Sequence, residues 1–228
     1  MTLHRKQARS LAHESLRRGR PLEWFETLYH QAGGDPAVIP WADMAVNPNL
    51  SAWLARTDLI AAQRQALVIG CGLGDDAEAL CAAGFRVTAF DISDTCIAWC
   101  RRRFPESSVG YCVADLFSPP PAWQRAFDFV LETYTLQVLP ENLRATAIRQ
   151  IADFVAGDGR LLVITRGRDA ADDPGAMPWP LLQSELSEFA RAGLIELTFE
   201  DYLDSEDPPV RRFRVEYRRP ACESNFMS

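Results

Sequence analysis

The run LVIGCGLGDDAEAL, residues 67–80, constrains the fold more than any other stretch. An apolar segment leads into three glycines, Gly70, Gly72 and Gly74, which alternate with Cys71 and Leu73 before a helix-forming segment begins. A strand, a glycine turn and a helix in succession place backbone N–H groups and a helix N-terminus at the carboxyl edge of a sheet. Several nucleotide-like ligands use that arrangement. A dinucleotide turn reads GxGxxG, and its third glycine position here is Asp75. A carboxylate there faces a pyrophosphate unfavourably and a cationic ligand favourably.

The rest of the chain keeps the rhythm this turn implies. Helical periodicity covers residues 3–19 and 22–32, with Pro21 placed to start the second, and residues 33–49 read as a loop. Strand patterns at 66–70, 85–91, 109–115, 127–132 and 160–166 alternate with helical ones at 75–83, 93–104 and 141–155. Ser93 or Asp94 caps the second of these helices, and Gly157 and Gly159 turn the chain after the third. A helix at 183–193 precedes two long alternating segments, 194–202 and 211–218. These are charged along one side, as in an antiparallel hairpin at a sheet edge. The expected fold class is α/β: a doubly wound, Rossmann-like seven-stranded sheet, mostly parallel with a C-terminal antiparallel hairpin and helices on both faces. Residues 1–50 would form a helical cap and lid over a ligand-binding domain at 51–220.

Bulk properties narrow the partners. The first twenty residues hold six Lys or Arg against Glu14, while the remainder carries 18 basic and 30 acidic residues, a net of −12. Such a body repels phosphate backbones, which argues against nucleic acid. No apolar run approaches the roughly 20 residues of a membrane span, and no secretory h-region follows the start, so a cytoplasmic protein is expected. At 228 residues, a monomer or weak homodimer is of ordinary size. Cysteines 71, 81, 96, 100, 112 and 222 form no pair of CxxC units, which leaves zinc unsupported. They read as reduced, packed thiols, with Cys96 and Cys100 one helical turn apart. Asp172 and Asp173 in a Pro/Gly loop are too little to hold a metal, and none is expected.

Acids recur at successive strand ends. Asp91 closes the second strand, where a carboxylate can accept from both hydroxyls of a ribose. Asp115 closes the third, placed for the exocyclic amine of an adenine that Ile92 and Leu116 would sandwich. Glu132 closes the fourth, nearest the reacting centre.

With VIGCGLGD, FDIS and VADLF in place, residues 65–217 resemble a class I S-adenosylmethionine-dependent methyltransferase. Within that superfamily the chain is similar to the thiopurine, thiol and halide methyltransferase group. IPWADMAVNPNL resembles the loop before that group's first strand, with Trp41 and Pro48 at similar spacing. DLFSPPPAWQRAFDFVLE resembles its link between the third and fourth strands, and TYTLQVLPENLR its segment after the fourth. The chain departs where Ala42 separates Trp41 from Asp43, and where Ala45 or Val46 replaces a glycine.

The resemblance implies S-adenosyl-L-methionine as methyl donor and a small-molecule acceptor. Its cofactor contacts would be Trp24, Trp41, Gly70, Cys71, Gly72, Gly74, Asp91, Ile92, Asp115, Leu116 and Glu132. Trp24, Tyr29 and Trp41 could close over the site, and their aromatic faces attract a sulfonium. Tyr134, two residues beyond Glu132, and Arg166, after the fifth strand, are the candidates at the transfer site, Arg166 as a binder of an anionic acceptor. A thiol near its own pKa and a halide need no base, whereas a phenol or amine gains from one. Of the three histidines, His30 beside Tyr29 is the one placed to approach a site. LETYTL stands where enzymes that methylate base amines carry an NPPY-type signature. A thiol, thiopurine-like heterocycle or halide is therefore the favoured acceptor. O- or N-methylation of an aromatic compound and non-catalytic binding of the same cofactor are the alternatives.

Overall fold

The alternation resolves into a seven-stranded sheet of order β3-β2-β1-β4-β5-β7-β6 in a computed structural model that describes residues 3–221. Cys222 lies outside the described residues. The strands are β1 (Gln65–Ile69), β2 (Arg86–Asp91), β3 (Gly110–Val113), β4 (Phe127–Thr133), β5 (Val155–Arg166), β6 (Ile195–Leu203) and β7 (Arg211–Arg218). β1 to β5 pair in parallel, and β7 pairs antiparallel with both β5 and β6. The expected mostly parallel sheet with a C-terminal antiparallel hairpin is what the chain forms.

The period-2 geometry of strands sorts the core into two layers. Ala66, Val68, Phe129, Leu131, Leu162 and Ile164 face α4 (Asp75–Ala82) and α5 (Asp94–Arg103). Leu67, Ile69, Val130, Leu161 and Val163 face α6 (Glu141–Phe154) and the short turns α7 (Gln183–Leu186) and α8 (Glu188–Arg191). Ser93 caps α5 by accepting from the Cys96 N–H at 3.0 Å. The helix expected at 183–193 breaks into α7 and α8 around Ser187. Gly157 and Gly159 do not separate helix from strand. α6 runs straight into β5, and the irregularity between Phe127 and Phe129 absorbs the extra residues.

The N-terminal region forms α1 (Leu3–Arg17) and α2 (Glu23–Ala32), a 3₁₀ turn at Pro36–Val38, and α3 (Pro48–Leu54). α3 starts at the very end of the expected loop: Asn47 caps it by accepting from the Asn49 N–H at 2.9 Å, and Pro48 sets its first φ. Trp24, Leu28, Tyr29 and Ile39 cluster with Leu73, Cys96 and Trp99. The N-terminal helices therefore share a core with the glycine turn and α5. Glu26 fixes α2 there, accepting from Ser93 Oγ at 2.6 Å and Thr95 Oγ1 at 2.5 Å at the start of α5.

The hairpin departs from the sequence pattern in one respect. β7 lies inside the sheet, between β5 and β6, so its charged side is covered. Arg212, Arg214 and Glu216 are all buried. α3 covers this side: Trp53 Nε1 donates to Glu216 Oε2 at 3.0 Å, and Arg214 Nη1 donates to the Asn49 carbonyl at 2.9 Å. Arg160 on β5 completes the pairing by donating to Glu216 Oε1 at 2.8 Å. Removing one member strands its partners away from water. Glu216→Ala should therefore lower unfolding free energy by about 2–3 kcal/mol in urea titrations. A loss within about 0.5 kcal/mol, the level of an ordinary surface substitution, would show that the covered charges are idle.

Candidate active site

The glycine turn is shaped as much by the protein's own side chains as by any ligand. Gly70, Gly72 and Gly74 have φ of 57°, 53° and 93°, the region that disfavours a side chain. A Cβ on Gly70 would lie 2.5 Å from Thr135 Oγ1, and one on Gly74 2.5 Å from Tyr111 Oη. At Gly72 a Cβ would meet only Tyr29 and Trp41, at 3.7 and 3.9 Å, so the open space is at this middle position.

The Gly72 backbone is held from both sides. Its N–H donates to Asp91 Oδ2 at 3.2 Å, and its carbonyl accepts from Cys96 Sγ at 2.8 Å and Cys100 Sγ at 3.1 Å. Burial pushes the Cys96 thiol up, which keeps its proton available for that bond. Asp91 is 7% exposed, and its Oδ1 accepts from the Ser93 N–H at 3.0 Å. Burial raises its carboxyl to about 6.

The two acids after the turn divide their work. Asp75, expected to face a cation, is paired in both oxygens with Arg103 at 2.8 and 2.9 Å. Its charge is thus answered within the protein. Asp76 accepts from the Asn47 N–H at 2.8 Å and so joins the N-terminal segment to α4. Burial raises this carboxyl to about 6 as well.

A cavity of about 750 Å³ opens over this carboxyl edge, within the range of a small-molecule site. The strand ends supply its floor: Gly70, Cys71, Gly72 and Gly74 after β1, Asp91 and Ile92 after β2, Asp115 and Leu116 after β3, Thr133 and Tyr134 at the end of β4. Trp41 and Phe25 line the cap side, and Trp41 Nε1 donates to Tyr29 Oη at 2.9 Å. The structure thus gathers most of the residues singled out from the sequence around one space. Its carboxylates at parallel strand ends fit a cationic nucleoside.

Two of them stand behind the wall. Trp24 stacks on Phe25 at 4.0 Å and meets the edge of Trp41 at 5.9 Å. Glu132 is fully buried, and its Oε1 accepts from the N–H groups of Thr135 and Leu136 at 2.8 and 2.9 Å. Its Oε2 has no partner among the described residues, and burial lifts the carboxyl to about 7. Glu132 therefore organises the turn that carries Tyr134. That turn holds Tyr134 at φ 65°, where a side chain is strained. The strained residue is braced: its Oη accepts from Asn49 Nδ2 at 3.0 Å, and the Arg212 guanidinium lies 4.5 Å from its ring centroid. Arg166 also lines the cavity, whereas His30 is exposed and does not.

Sequence reasoning passed over Glu26, Asn49, Asp76 and Arg212. Asp76 had a signal, as the second acid of the DD pair opening α4. Arg212 had none, because an alternating charged strand looks solvated until the sheet order is known.

Residues 66–159 match a family described as a methyltransferase domain. The match spans the glycine turn and β1 to β4, and the methyl donor it implies is S-adenosylmethionine. No curated protein matches the chain. Among solved structures, one from work on the conversion of a disulfide bond into a thioacetal group during echinomycin biosynthesis superposes with TM-score 0.71 at 18% identity, over 89% of this chain and 93% of that one. An S-adenosylmethionine-dependent methyltransferase from Methanosarcina mazei gives 0.63 at 15% identity, over 78% and 100%. A Haemonchus contortus phosphoethanolamine N-methyltransferase, solved with phosphomonomethylethanolamine and S-adenosylhomocysteine, gives 0.60 at 14%, over 75% and 52%. At such identities the likeness is one of fold.

The buried carboxyls set the pH response of the fold. Glu132 moves from 4.5 to about 7 on folding, so between those values the folded chain holds a proton that the unfolded chain has released. Stability therefore falls as pH rises through that window, and Asp76 and Asp91, raised from 3.8 to about 6, act in the same direction. Glu132→Gln keeps the Oε1 acceptor and cannot ionise. It should flatten the fall in unfolding free energy between about pH 5 and about pH 8 by on the order of 2 kcal/mol. Identical slopes in wild type and variant would exclude Glu132 as the source.

Proposed function

We propose that the protein transfers the methyl group of S-adenosylmethionine to a small thiol, thiopurine-like heterocycle or halide. The observation that carries this reading is that none of His4, His13 and His30 lines the cavity. The phenols that do line it, Tyr29, Tyr134 and Tyr202, have their pKa raised by burial, stay protonated and so cannot take a proton. An acceptor that reaches the site as an anion needs neither. A phenol or amine is the second reading, with Asp76, held near 6 at the cavity wall, as its base.

When bound, S-adenosylmethionine supplies an electrophilic methyl group on a sulfonium. The protein's part is then positioning and exclusion of water. Asp91 would hold the ribose, Asp115 the adenine amine between Ile92 and Leu116, and the Gly72 loop the chain bearing the sulfonium. Tyr134 would face the transferring methyl. Residues 1–50 would serve as the cap, with its moving part between the anchored α2 and α3. The acidic body beyond residue 20 favours a small-molecule partner over nucleic acid, and a cytoplasmic monomer or weak homodimer fits this role.

Purified protein offered thiols, iodide, phenols and heterocyclic amines, with release of S-adenosylhomocysteine as the readout, should turn over the first two classes. Turnover confined to phenols or amines would remove the proposal in favour of the second reading. Asp91→Ala should weaken S-adenosylhomocysteine binding roughly thirtyfold or more by calorimetry; unchanged affinity would remove the ribose assignment. Hydrogen exchange in residues 34–50 should slow when S-adenosylhomocysteine is added, while residues 194–217 stay unaffected. Equal protection with and without it would make the segment a fixed part of the core.

A further inference from the structure

Two arginines face each other across neighbouring strands at one end of the cavity. In the β5–β7 ladder Arg166 lies directly opposite Arg212, an arrangement in which like charges repel. Both line the cavity. Arg212 is 1% exposed; its Nε donates to Asp204 Oδ2 at 2.6 Å and its Nη2 to Glu206, while Nη1 has no partner among the described residues. Arg166 Nε is likewise buried without one. Thr133, which ends β4 beside them, lines the same space with an unpartnered hydroxyl. Three buried donors on the neighbouring strands β4, β5 and β7 thus lack the acceptors that donors ordinarily find.

We propose that these groups form the acceptor's anchoring site, and that the acceptor carries a carboxylate bound by Arg166 and Arg212. The inference rests on the methyl-transfer reading of the cavity and names its substrate class. Two free guanidinium N–H groups and one hydroxyl suit the two oxygens of a monoanion. A phosphate dianion asks for more, and Asp204 and Glu206 already offset part of the positive charge. Burial, and then the neighbouring Arg212, lower the Arg166 pKa, and a bound anion would relieve both.

The test uses the full chain saturated with S-adenosylhomocysteine. Calorimetry should show benzoate binding at least about tenfold tighter than benzamide, and tighter than phenyl phosphate. With S-adenosylmethionine, thioglycolate should exceed its amide in kcat/KM by a similar factor. Arg166→Gln should cut the acid-over-amide preference about tenfold while S-adenosylhomocysteine affinity stays within about twofold. Arg212→Lys, which keeps the charge but loses the fork, should cut it as well. Equal binding of acid and amide, tighter binding of the phosphate, or a preference that survives Arg166→Gln overturns the carboxylate site and leaves the methyltransferase reading standing. Failure of S-adenosylhomocysteine itself to bind overturns both.

Discussion

The backbone of Gly72 is the joint on which the site depends. Its N–H is held by Asp91 from the end of β2, and its carbonyl by the thiols of Cys96 and Cys100 on α5. Three elements therefore meet at one residue. The same Asp91 accepts from the Ser93 N–H, and Ser93 caps α5. Backbone turn, helix start and strand end are fixed together, so the cradle exists before any ligand arrives. Thiols at 96 and 100 one helical turn apart suggest simple packing, yet both aim at a single carbonyl. A sulfur donor there is small enough to sit beneath the turn while still satisfying a buried acceptor.

The second constraint is the inserted strand β7. Because it separates β5 from β6, its charged side becomes an interior surface, and α3 must bring polar groups to meet it. Asn49 is the hinge of that contact. Its carbonyl accepts from Arg214, its side chain donates to Tyr134 Oη, and its Oδ1 accepts from Tyr202 Oη at 2.5 Å. A strained tyrosine on β4 is thus held by a residue that belongs, in sequence, to the N-terminal region. This polar layer is the price of building one wall of the cavity from a late strand.

Much of this was legible in the sequence for a local reason. Strand, turn and helix patterns depend on residues within a few positions, and the glycine turn, the Ser93 cap and the strand ends at Asp91 and Asp115 were all readable that way. What was not legible is what depends on partners far along the chain. Asp75 looked like a ligand-facing acid, and the bidentate contact that neutralises it comes from Arg103 on the next helix. Glu132 looked like a contact at the reacting centre because it ends a strand. Its direction is set by the N–H groups of Thr135 and Leu136, exposed by a turn that pattern analysis could not draw. The charges of β7 looked solvated because alternation says which residues share a side but not what covers that side.

The sheet order also gives the cavity a polarity that no single residue carries. Counting outward from β4, the strands on one side, β1, β2 and β3, end in the glycine turn, Asp91 and Asp115. Those on the other side, β5 and β7, bring Arg166 and Arg212. Tyr134 follows β4 between the two. On the proposed reading a sulfonium would lie in the first half and an anionic acceptor in the second, where Asp204 and Glu206 offset part of the arginines' charge. The two reactants would then be oriented by the same field before any contact is made with the transferring group. A neutral cavity of the same shape would leave two ligands free to exchange places. In this one such an exchange would set a cation against two arginines and an anion against two aspartates. On the proposed reading, the strands on either side of β4 would divide donor from acceptor, and the methyl group would pass over the end of β4.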